Sequence, residues 1–170
     1  MDNVVAKYLT MKRLVLLLLV LSCLSIHAQD RKLKVSDINL ENVQYPFPVK
    51  FLNIKAQGQD LKMAYMDLQP AKPNGKTVLL LHGKNFSAIY WEQTANDLAG
   101  EGYRVIMPDQ VGFGKSTKAT NLQYTFQFLS QNTKAVLDEL KVTKVNVLGH
   151  SMGGMLATRF ALMYPDITEK

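Results

Sequence analysis

The chain has 170 residues, 47% of them hydrophobic, which is enough for one packed domain and too few for two. Glycine (10) and proline (6) are at ordinary levels and no repeat or low-complexity tract is present, which excludes fibrous and disordered architectures. The net charge of +6 comes from scattered lysines that do not interleave with aromatics, which argues against a nucleic-acid partner.

At the N-terminus, Lys12 and Arg13 precede the apolar run Leu14–Leu21, and small residues then lead to Ala28-Gln29. This is the layout of a secretory signal peptide over residues 1–28, so the protein is expected to be exported, either periplasmic or secreted. Met11 offers a more compact charged start than Met1. Even extended to Ile26, the apolar span has 13 residues against the roughly 20 that cross a bilayer, which disfavours a permanent transmembrane helix. The only cysteine, Cys23, follows Val20-Leu21-Ser22 in a pattern that resembles the lipobox of bacterial lipoproteins. Lipidation at Cys23 would give a membrane-anchored lipoprotein; otherwise Cys23 is a small hydrophobe inside the leader. Either way the mature chain offers no disulfide, no cysteine metal site and no thiol catalysis. Residues 1–28 hold three bases (Lys7, Lys12, Arg13) against one acid (Asp2), so their removal leaves a mild +4.

Residues 29–48 read as a polar lead-in with Pro46 and Pro48 near its end, and the domain is expected over 49–170. Val49–Lys55 and Leu61–Leu68 are strand-like and flank Gln57-Gly58-Gln59-Asp60, which predicts an antiparallel hairpin. After a turn at Pro73-Asn74-Gly75 the pattern changes to short apolar runs, Thr77–Leu81, Arg104–Met107 and Lys144–Leu148, as in buried parallel strands. Segments of helical period separate them. Tyr90–Ala99 stops at Gly100; Phe126, Leu129, Thr133, Val136, Leu137 and Leu140 share one helix face; Met152–Tyr164 ends at Pro165. Strand-helix alternation of this kind predicts an α/β fold, a mostly parallel sheet with helices on both faces and an N-terminal antiparallel hairpin. Ligands in such sheets bind beyond the carboxyl ends of the strands, here the loops after Leu81, Met107 and Leu148.

Each of those loops carries a motif. Gly149-His150-Ser151-Met152-Gly153 is a Gly-x-Ser-x-Gly sequence between Val145-Asn146-Val147-Leu148 and a helix, the strand-turn-helix setting of a nucleophile elbow. Ser151 is the candidate nucleophile, and the Met152 amide, at a helix N-terminus, is a candidate oxyanion donor. The alternative is a tight turn with a capping serine. His82-Gly83 ends the first parallel strand; its loop is expected to give a second oxyanion amide from Lys84, Gly83 allowing close backbone approach. The alternative there is an ordinary loop supported by His82. Asp109–Ser116 holds two glycines that resemble a phosphate loop, but no Walker spacing follows, so no nucleotide or other cofactor is expected. Asp109 and Ser116 are expected to hold this loop by bonds from side chain to backbone. Of the three histidines, His27 lies in the leader, His82 in the strand-end loop and His150 beside Ser151 facing away from a base's position; none makes a convincing general base, and no metal cluster is expected.

In this order and at these separations, Leu79-Leu80-Leu81-His82-Gly83, Asp109–Ser116 and Gly149–Gly154 resemble the α/β-hydrolase superfamily, in particular its serine-dependent esterase, lipase, C–C hydrolase and proline-iminopeptidase types. The resemblance covers about residues 49–170. It implies an eight-stranded sheet, acyl transfer through Ser151, an oxyanion hole from the Met152 and Lys84 amides, and an acid and a histidine following in that order. Serine at 151 argues against the dehalogenase and epoxide-hydrolase branches, which use a carboxylate. Ser151 stands 19 residues before Lys170, so three further strands, any cap, the acid and the histidine are expected beyond it. The chain alone would then keep only a residual rate, and its Ser151 strand would lie at an open sheet edge with unpaired amides. The expected partner is a small carbonyl substrate. A non-catalytic protein of the same fold binding a hydrophobic small molecule is the second reading, and an unrelated α/β binding module the third.

Overall fold

The computed structural model describes residues 37–170. The expected signal peptide, the start at Met11 and Cys23 lie outside these residues. Five strands form one sheet: β1 (Val49–Ala56), β2 (Gln59–Leu68), β3 (Thr77–Leu81), β4 (Arg104–Pro108) and β5 (Asn146–Gly149). Their order is β1-β2-β4-β3-β5, antiparallel on the hairpin side and parallel from β4 through β3 to β5. Helices α1 (Glu92–Gly100), α2 (Phe126–Glu139) and α3 (Met152–Met163) connect and follow the parallel strands. None of the described helices is long and apolar enough to cross a membrane.

The two faces of the sheet follow from alternation along buried strands. Leu79, Leu81 and Ile106 point to one side, where they pack with Phe128 and Val136 of α2 and Leu156 and Phe160 of α3. Val78, Leu80, Val105 and Met107 point to the other and meet Trp91 and Ala95. Helices therefore cover both faces, as the alternating pattern implies.

Three local expectations are corrected. Gln57 and Gly58 both have positive φ (49° and 74°), the signature of a two-residue type I′ turn, whose twist matches that of the strands it joins. Gln59 and Asp60 therefore belong to β2, paired with Ala56 and Lys55, rather than to a four-residue loop. The first helix does not begin at Tyr90: Ala88–Trp91 forms a 3₁₀ turn and α1 starts at Glu92. The third concerns the β5 edge. The Val145 and Val147 amides donate to the carbonyls of Ile167 and Lys170 (both 2.8 Å), and the Glu169 amide returns to the Val145 carbonyl (2.9 Å). Val145 thus pairs in parallel with Thr168, and the segment after α3 covers the edge that the sequence reading left open.

The lead-in contributes to the core. Tyr45 is buried against the Val78 and Met107 face, with Val43 and Phe47 packed beside it.

Candidate active site

The turn at Ser151 is built by its two glycines. A β-carbon on Gly149 would collide with the Gly153 carbonyl, and one on Gly153 with the Leu81 carbonyl, so β5, α3 and the end of β3 approach to backbone contact only with hydrogen at both positions. The His150 amide donates to the Leu81 carbonyl (3.1 Å), and the Gly153 amide to the His150 carbonyl (2.8 Å). Between them Ser151 is forced to φ 54°, ψ −120°, a sparsely populated conformation for a residue with a side chain. Strain of this kind costs about 1–3 kcal/mol and persists only where the surroundings over-determine it. The Ser151 side chain is exposed, makes no cap bond and, among the described residues, has no hydrogen-bond partner. The capping-serine alternative therefore loses its main support.

The Met152 amide opens α3, where intrahelical acceptors are lacking. Lys84 lies in a turn closed by the Phe86 amide on the Gly83 carbonyl (3.2 Å), with Asn85 in the left-handed region (φ 66°) that asparagine tolerates. Among the described residues neither the Lys84 nor the Met152 amide has an acceptor. Gly83 sits against His150: a β-carbon there would lie 3.2 Å from Nδ1 and 3.3 Å from the backbone oxygen. The Tyr90 hydroxyl, 3.3 Å from both the Gly83 amide and His150 Nδ1, closes this corner.

His82 is fully buried, and its tautomer follows from its partners. The Gln110 amide can only donate, so Nε2 accepts (2.9 Å) and the proton resides on Nδ1, facing the Gly83 carbonyl (2.9 Å). Burial pushes its pKa down, outweighing the Gly83 carbonyl and Asp109, which act the other way. A neutral ring with both nitrogens engaged pins the end of β3 to the loop after β4. His82 is thus a support, consistent with the role the sequence allowed it. Together with His150 beside Tyr90, this means that no described histidine is positioned to deprotonate Ser151.

Asp109 is the second support. Its buried carboxylate accepts from the Ala88 amide (2.6 Å), the Lys115 amide (2.7 Å) and the Tyr45 hydroxyl (2.7 Å), while its own carbonyl accepts from Ser116 Oγ (2.7 Å). Gly114 is obligatory beside it, since a β-carbon would overlap the carboxylate. Ser116 Oγ in turn accepts from the Ala64 amide of β2 (2.8 Å). Three residues at this corner escaped the sequence reading: Tyr45, Gln110 and Tyr90. For Tyr45 a signal existed, an aromatic-proline run (Tyr45-Pro46-Phe47-Pro48) in an otherwise polar segment.

A cavity of ≈ 540 Å³ opens beside the turn. Lys84 and Met152 lie in its wall together with Phe113, Tyr124, Phe126 and Leu129. Its volume is in the range of small-molecule sites.

Residues 76–168 match a protein family described as having the alpha/beta hydrolase fold. The chain belongs to the α/β-hydrolase family. Its sequence is 33% identical over 120 residues to the 2-hydroxy-6-oxononadienedioate/2-hydroxy-6-oxononatrienedioate hydrolase of Escherichia coli K12, a match spanning 69% of this chain and 41% of that enzyme. The chain thus spans about two fifths of the length of the curated relatives it matches. Among solved structures, this α/β-hydrolase chain is similar to a probable hydrolytic enzyme from Pseudomonas aeruginosa (56% identity, TM-score 0.76, covering 77% of this chain and 42% of that one). It is also similar to an epoxide hydrolase from Vigna radiata (25% identity, TM-score 0.60, 71% and 38% covered).

Proposed function

We propose that this chain is the nucleophile-bearing part of an exported serine hydrolase that cleaves an ester, amide or related carbonyl substrate. The observation that carries this reading is the conformation of Ser151, strained at φ 54° and ψ −120° with its hydroxyl exposed and unbonded among the described residues. In the proposed reaction Ser151 Oγ attacks the carbonyl carbon and its proton passes to an imidazole contributed from outside these 170 residues. The Lys84 and Met152 amides hold the developing oxyanion. Collapse expels the leaving group with that proton, and water then releases the acyl group from Ser151. The Escherichia coli relative is named as a hydrolase of a 6-oxo compound, and its similarity supports a carbonyl substrate.

Hydrolysis of p-nitrophenyl acetate by the intact protein provides the test. Ser151→Ala is expected to lower kcat by a factor on the order of 10³ or more, with loss of any acyl-enzyme burst. An unchanged rate in Ser151→Ala would overturn the proposal and favour the reading of a non-catalytic protein whose apolar cavity binds a hydrophobic small molecule.

A further inference from the structure

We infer that the lead-in segment forms one wall of the substrate site and that Ile38 sets how bulky an apolar group the site accepts. This rests on the reading of Ser151 as nucleophile and adds to it the class of the group beside the reacting carbonyl: apolar.

Ile38 is 70% exposed, yet it stands in the wall of the same ≈ 540 Å³ cavity as Lys84 and Met152, which Phe113, Tyr124 and Leu129 also line. An isolated exposed isoleucine needs no explanation, but this one is held in place. Asp37 braces its turn, Oδ1 accepting from the Asn39 amide (2.8 Å) and the Glu41 amide (3.1 Å), and the Leu40 amide donates to the Asp37 carbonyl (3.0 Å). Lys115 Nζ donates to the Leu40 carbonyl (2.9 Å) and lies 5.1 Å from the centre of the Tyr45 ring. The Tyr45 hydroxyl then ties the segment to buried Asp109. The side chain is therefore presented by a braced turn fastened to the loop after β4, and an apolar group entering the cavity would cover it.

Two lysines stand at the rim. Lys118 directs its ammonium to the carbonyls of Gly114 (2.5 Å) and Ser116 (3.0 Å), and Lys84 is exposed to solvent. Apart from these lysines and the Thr120 and Thr125 side chains, the lining is aliphatic and aromatic, which favours an apolar chain or ring.

Two readouts on the intact protein separate this inference from the reading beneath it. The first is the ratio of labelling rates for a dodecyl and an ethyl fluorophosphonate at Ser151; the second is the dissociation constant of Nile red, a neutral apolar fluorophore whose binding needs no reactive serine. Ile38→Trp, which fills the cavity mouth, and Ile38→Asp, which makes the wall polar, are each expected to lower the dodecyl-to-ethyl ratio about 10-fold and to weaken Nile red comparably. Both quantities staying within about twofold of the wild type in both variants would overturn the inference. If neither probe labels the wild type, the nucleophile reading fails, and the Nile red titration alone decides whether Ile38 is a wall of the cavity.

Discussion

Ser151 and Asp109 show how single residues here are fixed by more than one neighbour. Ser151 adopts a conformation it would not choose, because the glycines at 149 and 153 let three backbones meet around it. Asp109 answers to three donors from three parts of the chain, the lead-in, the 3₁₀ turn before α1 and the loop after β4. Removing its carboxylate would leave those donors buried without an acceptor, a larger loss than removing any one of them. Asp109→Ala is expected to lower stability by about 3 kcal/mol or more, Asp109→Asn by less, and Tyr45→Phe by about 1 kcal/mol. Urea midpoints at constant m-value would rank the three. A Tyr45→Phe variant as unstable as Asp109→Ala would contradict the hub role of the carboxylate.

At the scale of elements, the candidate site is the meeting of three strand ends, and His82 joins two of them. Its ring is neutral when folded because burial disfavours the charged form, while in the unfolded chain it takes up a proton near its ordinary value of about 6.5. Below that pH the unfolded state binds more protons than the folded one, so stability must fall with falling pH, at up to about 1.4 kcal/mol per unit from this group. Above about 6.5 both states are neutral and the contribution is flat. Urea midpoints measured from pH 7.5 to 5 are expected to show this acid-side decline in the wild type and a shallower one in His82→Gln. Parallel declines would remove His82 as the cause. The strands themselves were legible in the sequence, because β3, β4 and β5 are short apolar runs bounded by glycine, proline or polar residues, and the α2 face repeats at three and four. The features that were not legible depend on long-range partners: the bond of the Tyr45 hydroxyl is explained only by Asp109, 64 residues on, and the covered β5 edge only by residues 167–170. The tight turn at Gln57-Gly58 was missed for another reason, since asking glutamine to take positive φ is uncommon and is outweighed by the pairing of the ladder on either side.

For the molecule as a whole, the described residues bring together a strained serine, two amides without acceptors and an apolar cavity, all at the carboxyl ends of the parallel strands where α/β sheets bind ligands. The Gly-x-Ser-x-Gly motif was legible because its chemistry is local, five residues that make one turn. A base and an acid are not local to it: they reach a nucleophile through the fold rather than through neighbouring sequence, and neither described histidine serves. The central claim is that Ser151 is an activated nucleophile. Mass spectrometry of the intact protein after treatment with a fluorophosphonate tests it most directly, since an unactivated serine does not react readily. A single adduct on the peptide containing Ser151, absent in Ser151→Ala, is the expected result; an unmodified Ser151 under conditions that label a known serine hydrolase in the same tube would contradict it.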